Sequence, residues 1–216
     1  MAQQDPTAGH KPAPTAAATG FGASISDPGP LGLAGFAATT FFLSAVNANL
    51  LPKTVESGVF GLAIFYGGIA QLLAGMWEFT KGNTFGATAF GSFGAFWLSF
   101  WWFVTHGVPE MVAAKASIDD INHAVGTFLL VWTIFTAYMF IASLRTSGAV
   151  AAVFFALAVT FLFLCIGAYS ASEGMTKAGG WLGLATAVLA WYASFATVTN
   201  STFKKVVMPV FPLARP

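Results

Sequence analysis

Charge is what this sequence has least of. Only 8% of its 216 residues are Asp, Glu, Lys or Arg, against about a quarter in soluble domains. Nine basic and eight acidic side chains leave a net charge of +1, which gives no basic surface for a nucleic acid, and no such partner is expected. Cysteine is nearly absent too. The single Cys165 excludes an intrachain disulfide and reads as a small apolar packing residue rather than a reactive thiol. Of the three histidines, His10 lies in a polar tail. His106 and His123 flank a segment carrying Glu110, Asp119 and Asp120, but no spacing there fixes a metal or prepares a nucleophile. No metal, cofactor or enzymatic activity is expected. The last apolar stretch has no Lys, which excludes a retinal Schiff base.

What is abundant is uninterrupted apolar sequence. Hydrophobic residues make up 56% of the chain, and every charged side chain falls outside six stretches: Leu31–Leu51, Gly58–Trp77, Phe85–Thr105, Ala124–Leu144, Gly148–Tyr169 and Gly179–Asn200. Each is close to the roughly 20 residues that carry a helix across the hydrocarbon core. Membrane strands are about half as long and alternate in polarity, which these do not. A buried soluble bundle would need polar outer faces, and these are missing. The reading is an all-α membrane protein with six transmembrane helices over residues 30–203. A disordered tail at 1–29, rich in Pro, Ala, Thr and Gly, precedes them, and a short tail at 204–216 follows. The N-terminal tail has no apolar core of its own, so the first span is expected to act as the targeting signal. A loop is expected at 106–123 and a tight polar turn at 78–84.

Loop charges orient the spans. With both termini inside, the inner side holds Lys11, Lys81, Arg145, Lys204, Lys205 and Arg215. The outer side holds Lys53, Lys115, Lys177 and most of the acids. The positive-inside bias therefore places both termini in the cytoplasm of a multi-pass protein in the cell membrane. The aromatic run Trp97–Phe103 closes the third span, with Trp101 and Trp102 suited to an interfacial belt and Trp97 to an outer vestibule.

Two spans carry matching polar stripes. Phe36, Thr40, Ser44 and Asn47 fall on one face of the first helix, and Gly67, Gln71, Gly75 and Glu78 on one face of the second. Hydroxyls in membrane helices often just bond the carbonyl one turn back, which suits Thr39 and Thr40 taken alone. An amide deep in apolar sequence must find a partner. Two stripes of the same spacing point to a neighbouring helix or to a path for a small polar solute.

The segment Asp27–Phe36, DPGPLGLAGF, resembles the N-P-A-P-L-G-L-x-G-F signature of the acetate uptake transporter family, which includes bacterial succinate–acetate permeases and fungal relatives. Residues 65–97, with FYGGIAQ at 65–71 and GNTFG at 82–86, resemble that family's second and third helices, and 178–184 and 200–209 are also similar. The resemblance implies a six-helix protomer assembled as a hexamer, with a narrow pore in each protomer for acetate and related small carboxylates such as succinate. It places a hydrophobic constriction at Phe36, Phe93 and Leu157, and polar substrate contacts at Thr39, Thr40, Gln71, Asn83 and Thr84. Two positions depart from the family pattern: Phe93 stands where Tyr is usual, and Asp27 replaces the signature Asn. The first makes the neck drier, and the second puts a negative charge near one pore mouth.

The six stretches hold no Lys, Arg, Asp, Glu or His to pair with an anion. Dehydrating a bare carboxylate there costs several kcal/mol, so a carboxylic acid, or an anion moving with a proton, suits the path better. Two other readings stay open on the residues alone: a urea or amide channel, which Gln71 and Asn83 would also serve, and a non-transporting membrane sensor.

Overall fold

The structure, a computed structural model, describes residues 25–213. Among these, six helices are long and apolar enough to span a membrane: α1 (Gly29–Asn47), α2 (Lys53–Thr80), α3 (Thr84–Ala113), α4 (Ile118–Ser143), α5 (Gly148–Tyr169) and α6 (Glu173–Phe203). The only β feature among the described residues is an isolated bridge between Ser147 and Pro212. Most of the tail expected at 1–29 lies outside the described residues, and α1 already begins at Gly29.

Local chemistry starts and stops these helices. The Asp27 carboxylate accepts the Gly29 N–H at 2.9 Å, and Pro30 follows in the first turn, where its missing donor costs nothing. Asn83, Ser147 and Ser172 each cap a following helix by accepting a first-turn N–H. Ser117 and Asp120 form a reciprocal capping box at the start of α4.

Two sequence expectations need correction here. The polar turn is shorter than 78–84. Glu78, Phe79 and Thr80 continue α2, because Lys81 N–H still closes a helical bond to the Trp77 carbonyl. The chain reverses only at Gly82, where φ is +72° and a side chain would be strained. The loop at 106–123 is mostly helix. Only Ala114–Ser117 separate α3 from α4; Pro109 is accommodated just after a widened π turn, Phe103–Gly107. A second π segment, Leu62–Ala70, lies within α2.

Packing orders the helices as a ring. α3 lies on α2, α2 on α1, α1 on α6, α6 on α5 and α5 on α4. Small residues permit this. A Cβ on Gly75 of α2 would stand 2.5 Å from the Gly91 backbone nitrogen of α3, and one on Gly183 of α6 would collide with Ser44 of α1. Between α3 and the α4–α5 pair the gap is filled by rings: Phe96 with Phe128, Trp132 and Phe161, Phe93 with Phe135, and Phe85 with Phe154. α1 is the most enclosed helix and α4 the least.

Residues 204–213 form a strap that the sequence did not reveal. After a left-handed residue at Lys204, the Asn200 side chain accepts Val207 and Met208 N–H at 2.7 and 2.9 Å and donates to the Met208 carbonyl at 2.8 Å. Tyr192 donates to the Pro209 carbonyl. Gly148, Ala149 and Leu213 add backbone bonds that tie the strap to the α4–α5 turn.

Candidate functional site

A cavity of about 690 Å³ opens at the end of the ring where α1, α3 and α5 finish and α2, α4 and α6 begin. Its mouth carries Asn47, Asn49, Lys53, Glu56, Asn122 and Glu173. Its walls are apolar, with Leu43, Phe100, Val104, Phe128, Phe161 and Leu164. Its floor is Phe36, Phe96 and Leu157. Eleven residues of α1 separate Phe36 from Asn47, so the floor lies about 16 Å below the mouth, close to half of the roughly 30 Å hydrocarbon core. Charge is confined to the mouth.

The stripe on α1 is the clearest link from sequence to site: Phe36, Thr40, Ser44 and Asn47 all line this cavity. Trp97 of α3 lines it as well. Beneath the floor the interior is filled. Phe93 is buried, and its ring centroid lies 5.6 Å from Phe36, 5.3 Å from Phe135 and 6.0 Å from Phe154. Phe36, Phe93 and Leu157 belong to one buried apolar cluster, drawn from α1, α3 and α5.

The polar residues expected at the site divide. Thr40 lines the cavity. Thr39 is fully buried on the α2 side of α1, donating to the Gly35 carbonyl at 2.9 Å and approaching the Leu62 carbonyl at 3.4 Å. Gln71 is fully buried outside the cavity lining. Its face of α2 is a helix contact, since Gly67 meets Thr39 and Trp97 while Gly75 meets Gly91. Asn83 and Thr84 stand at the opposite end of the ring. There Asn83 Oδ1 caps α3 through Gly86 N–H at 3.0 Å, and its Nδ2 donates to Glu78 at 2.8 Å; Thr84 is exposed.

The sequence puts Glu78 both at the start of a polar turn and on the Gly67–Gln71–Gly75 stripe. It is 2% exposed, packed against Gly86 beside the start of α1. The spacing Gly67–Gln71–Gly75–Glu78 carried that signal. Three buried polar atoms among the described residues have no hydrogen-bond partner: Thr40 Oγ1, Gln71 Oε1 and Trp97 Nε1. Such groups are rare in folded proteins and call for an explanation. The described residues hold no cluster of His, Cys, Asp and Glu suited to a metal.

Known proteins share this architecture. A solved structure of the bacterial acetate channel SatP superposes with a TM-score of 0.78 at 35% identity, covering 86% of this chain and 99% of that one. The succinate-acetate/proton symporter SatP of Escherichia coli K12 is 36% identical over 188 residues, 86% of this chain and 95% of its own. Ammonia transport outward protein 2 of Saccharomyces cerevisiae is 42% identical over 192 residues, which are 89% of this chain and 67% of the longer yeast protein. With likeness of this extent and a family match running over residues 9–215, the chain belongs to the GPR1/FUN34/yaaH family.

Proposed function

We propose that this multi-pass membrane protein passes acetate and related small carboxylates, succinate among them, through each protomer. Both termini are cytoplasmic in this reading, so the cavity faces outside and collects the acid. The observation that carries it is the cavity itself: a polar mouth, apolar walls, and an uncharged apolar floor at mid-depth. The names of the relatives support it. Phe36, Phe93 and Leu157 form the neck and Thr40 touches the substrate above it. Thr39, Gln71 and Asn83 hold the walls and caps, and Thr84 edges the far mouth. A hexamer, as the family resemblance implies, gives six parallel paths.

The floor offers no cation, so a carboxylate reaching it gains no ion pair to offset dehydration. A carboxylic acid, or an anion accompanied by a proton, meets a smaller barrier, and a dry neck excludes hydrated ions. Flux is therefore larger at acidic than at alkaline pH. The test is a panel of labelled solutes in proteoliposomes. Acetate is expected to enter fastest and succinate measurably, with urea and ammonium near the rate of protein-free vesicles. Urea or ammonium outrunning acetate would overturn the assignment.

A further inference from the structure

We propose that the C-terminal strap, residues 204–213, is a membrane-surface anchor that docks on anionic phospholipid headgroups at the end of the ring opposite the cavity mouth. The proposal is independent of which solute the cavity takes. In the orientation given above, the leaflet concerned is the cytoplasmic one. Charge at this face is of one sign. Lys204 and Lys205 open the strap. Arg145 stands in the α4–α5 turn, to which the other end of the strap is tied by Leu213 N–H on the Thr146 carbonyl at 3.0 Å. All three cations are exposed. No Asp or Glu follows Glu173, and none lies between Asp120 and Glu173. Those two acids sit in the first turns of α4 and α6, at the mouth end. The α4–α5 turn, the last turns of α6 and the strap therefore present three cations and no acidic side chain, which complements the negative surface of a phospholipid leaflet.

Apolar side chains alternate with these charges at the depth of the membrane boundary. Phe203, Val206 and Phe211 are 63%, 80% and 59% exposed, and Leu144, Val207 and Leu213 are exposed as well. The strap does not hang clear of the helices but folds back along them. Tyr192, which donates to the Pro209 carbonyl, lies inside the charge-free stretch 179–200. Gly148, whose N–H bonds the Phe211 carbonyl, opens the stretch 148–169. A Cβ on Gly148 would stand 3.0 Å from Phe211 Cβ, so this glycine lets the strap seat closely on α5. The strap meets an outward side of α6, since Tyr192 shares a shallow apolar surface with Val188, Phe195 and Val198, all exposed. Phe211 is held there with φ at +55°, a region that bulky residues rarely adopt. Burial within the protomer gives no reason for it, because most of the side chain is uncovered. Aromatic rings at the level where apolar spans begin, flanked by Lys and Arg, form an interfacial anchor. The rings enter the acyl boundary, and the cationic side chains extend to the lipid phosphates.

The test uses the full chain in vesicles of phosphatidylcholine, alone or mixed with phosphatidylglycerol. Phe211→Cys is labelled with bimane, the native Cys165 being buried. Nitroxide lipids labelled near the headgroup are expected to quench the bimane more strongly than lipids labelled at the acyl terminus. In electron spin resonance, spin-labelled phosphatidylglycerol is expected to associate with the unsubstituted protein in preference to spin-labelled phosphatidylcholine. Lys204→Asn, Lys205→Gln and Arg145→Gln are each expected to lower that relative association constant by up to about fivefold, the effect of one cation at a charged surface. Asn is used at 204 because it tolerates the left-handed backbone there. Lys81→Gln, at the same end but in the α2–α3 turn, is expected to change the preference less than about twofold, since it stands apart from the strap. An equal loss with Lys81→Gln would reduce the effect to the net charge of that end and overturn the proposal. So would bimane quenched more by the deep label, or by neither label, which would place the strap in water or against a neighbouring protomer. An unchanged lipid preference in the triple variant, with oligomer size and melting temperature kept, would overturn it too.

Discussion

At the scale of single residues the account turns on the neck. Phe93 is surrounded by Phe36, Trp132, Phe135 and Phe154, and its own ring, like the three phenyl rings among these neighbours, offers a carboxyl oxygen no hydrogen bond. Phe93→Tyr adds a donor at almost constant volume. One hydrogen bond made at the barrier is worth about 1 kcal/mol, so acetate turnover is expected to rise roughly fivefold. Leu157→Ala acts through size: it widens the floor and is expected to admit lactate and more succinate while costing about 2–5 kcal/mol of stability. Solute competition assays separate the two, with the first variant changing rate and the second changing selectivity. Wild-type behaviour in both would show that the constriction lies elsewhere. The α1 stripe could be read from sequence because a lined face and a helical period are the same pattern. The α2 stripe has the same period but packs on neighbouring helices. Spacing says that a face is special, not whether a cavity or another helix meets it. The missing bonds of Thr40 and Trp97 depend on rotamers and leave no trace in residue order.

At the scale of elements, hydropathy located all six helices, and their ends were harder. The charged residues at 106–123 suggested a loop, yet Ser117 and Asp120 form a capping box and helix fills most of that segment. The strap at 204–213 was illegible because it is held mainly by bonds from Asn200 and Tyr192 to backbone, which have no period. It makes a clear prediction. Asn200→Ala removes three bonds and leaves the helix itself intact, so amide exchange at Val207 and Met208 is expected to accelerate by one to two orders of magnitude, each order equal to about 1.4 kcal/mol of lost protection. Unchanged exchange would mean that Tyr192 and the backbone bonds to Thr146, Gly148 and Ala149 suffice to hold the strap.

At the scale of the whole molecule, the ring of helices holds a deep opening that reaches the middle of the span from one side. Apolar side chains on the outer faces of α4 and α6, such as Val131, Ile134, Ile141, Val188 and Phe195, are exposed. They suit lipid and the neighbouring protomers of the proposed hexamer equally, because in a bilayer both surroundings are apolar. The central claim does not depend on that choice, since the path lies inside each protomer. The most direct test is labelled-acetate uptake by proteoliposomes holding wild-type protein or Leu157→Trp at matched content, with oligomer size and melting temperature verified for both. The account predicts wild-type uptake well above protein-free vesicles, growing as external pH falls, and uptake near the protein-free rate once the indole plugs the floor. Wild-type uptake no faster than protein-free vesicles at any pH, or a plugged variant as fast as wild type, would contradict it.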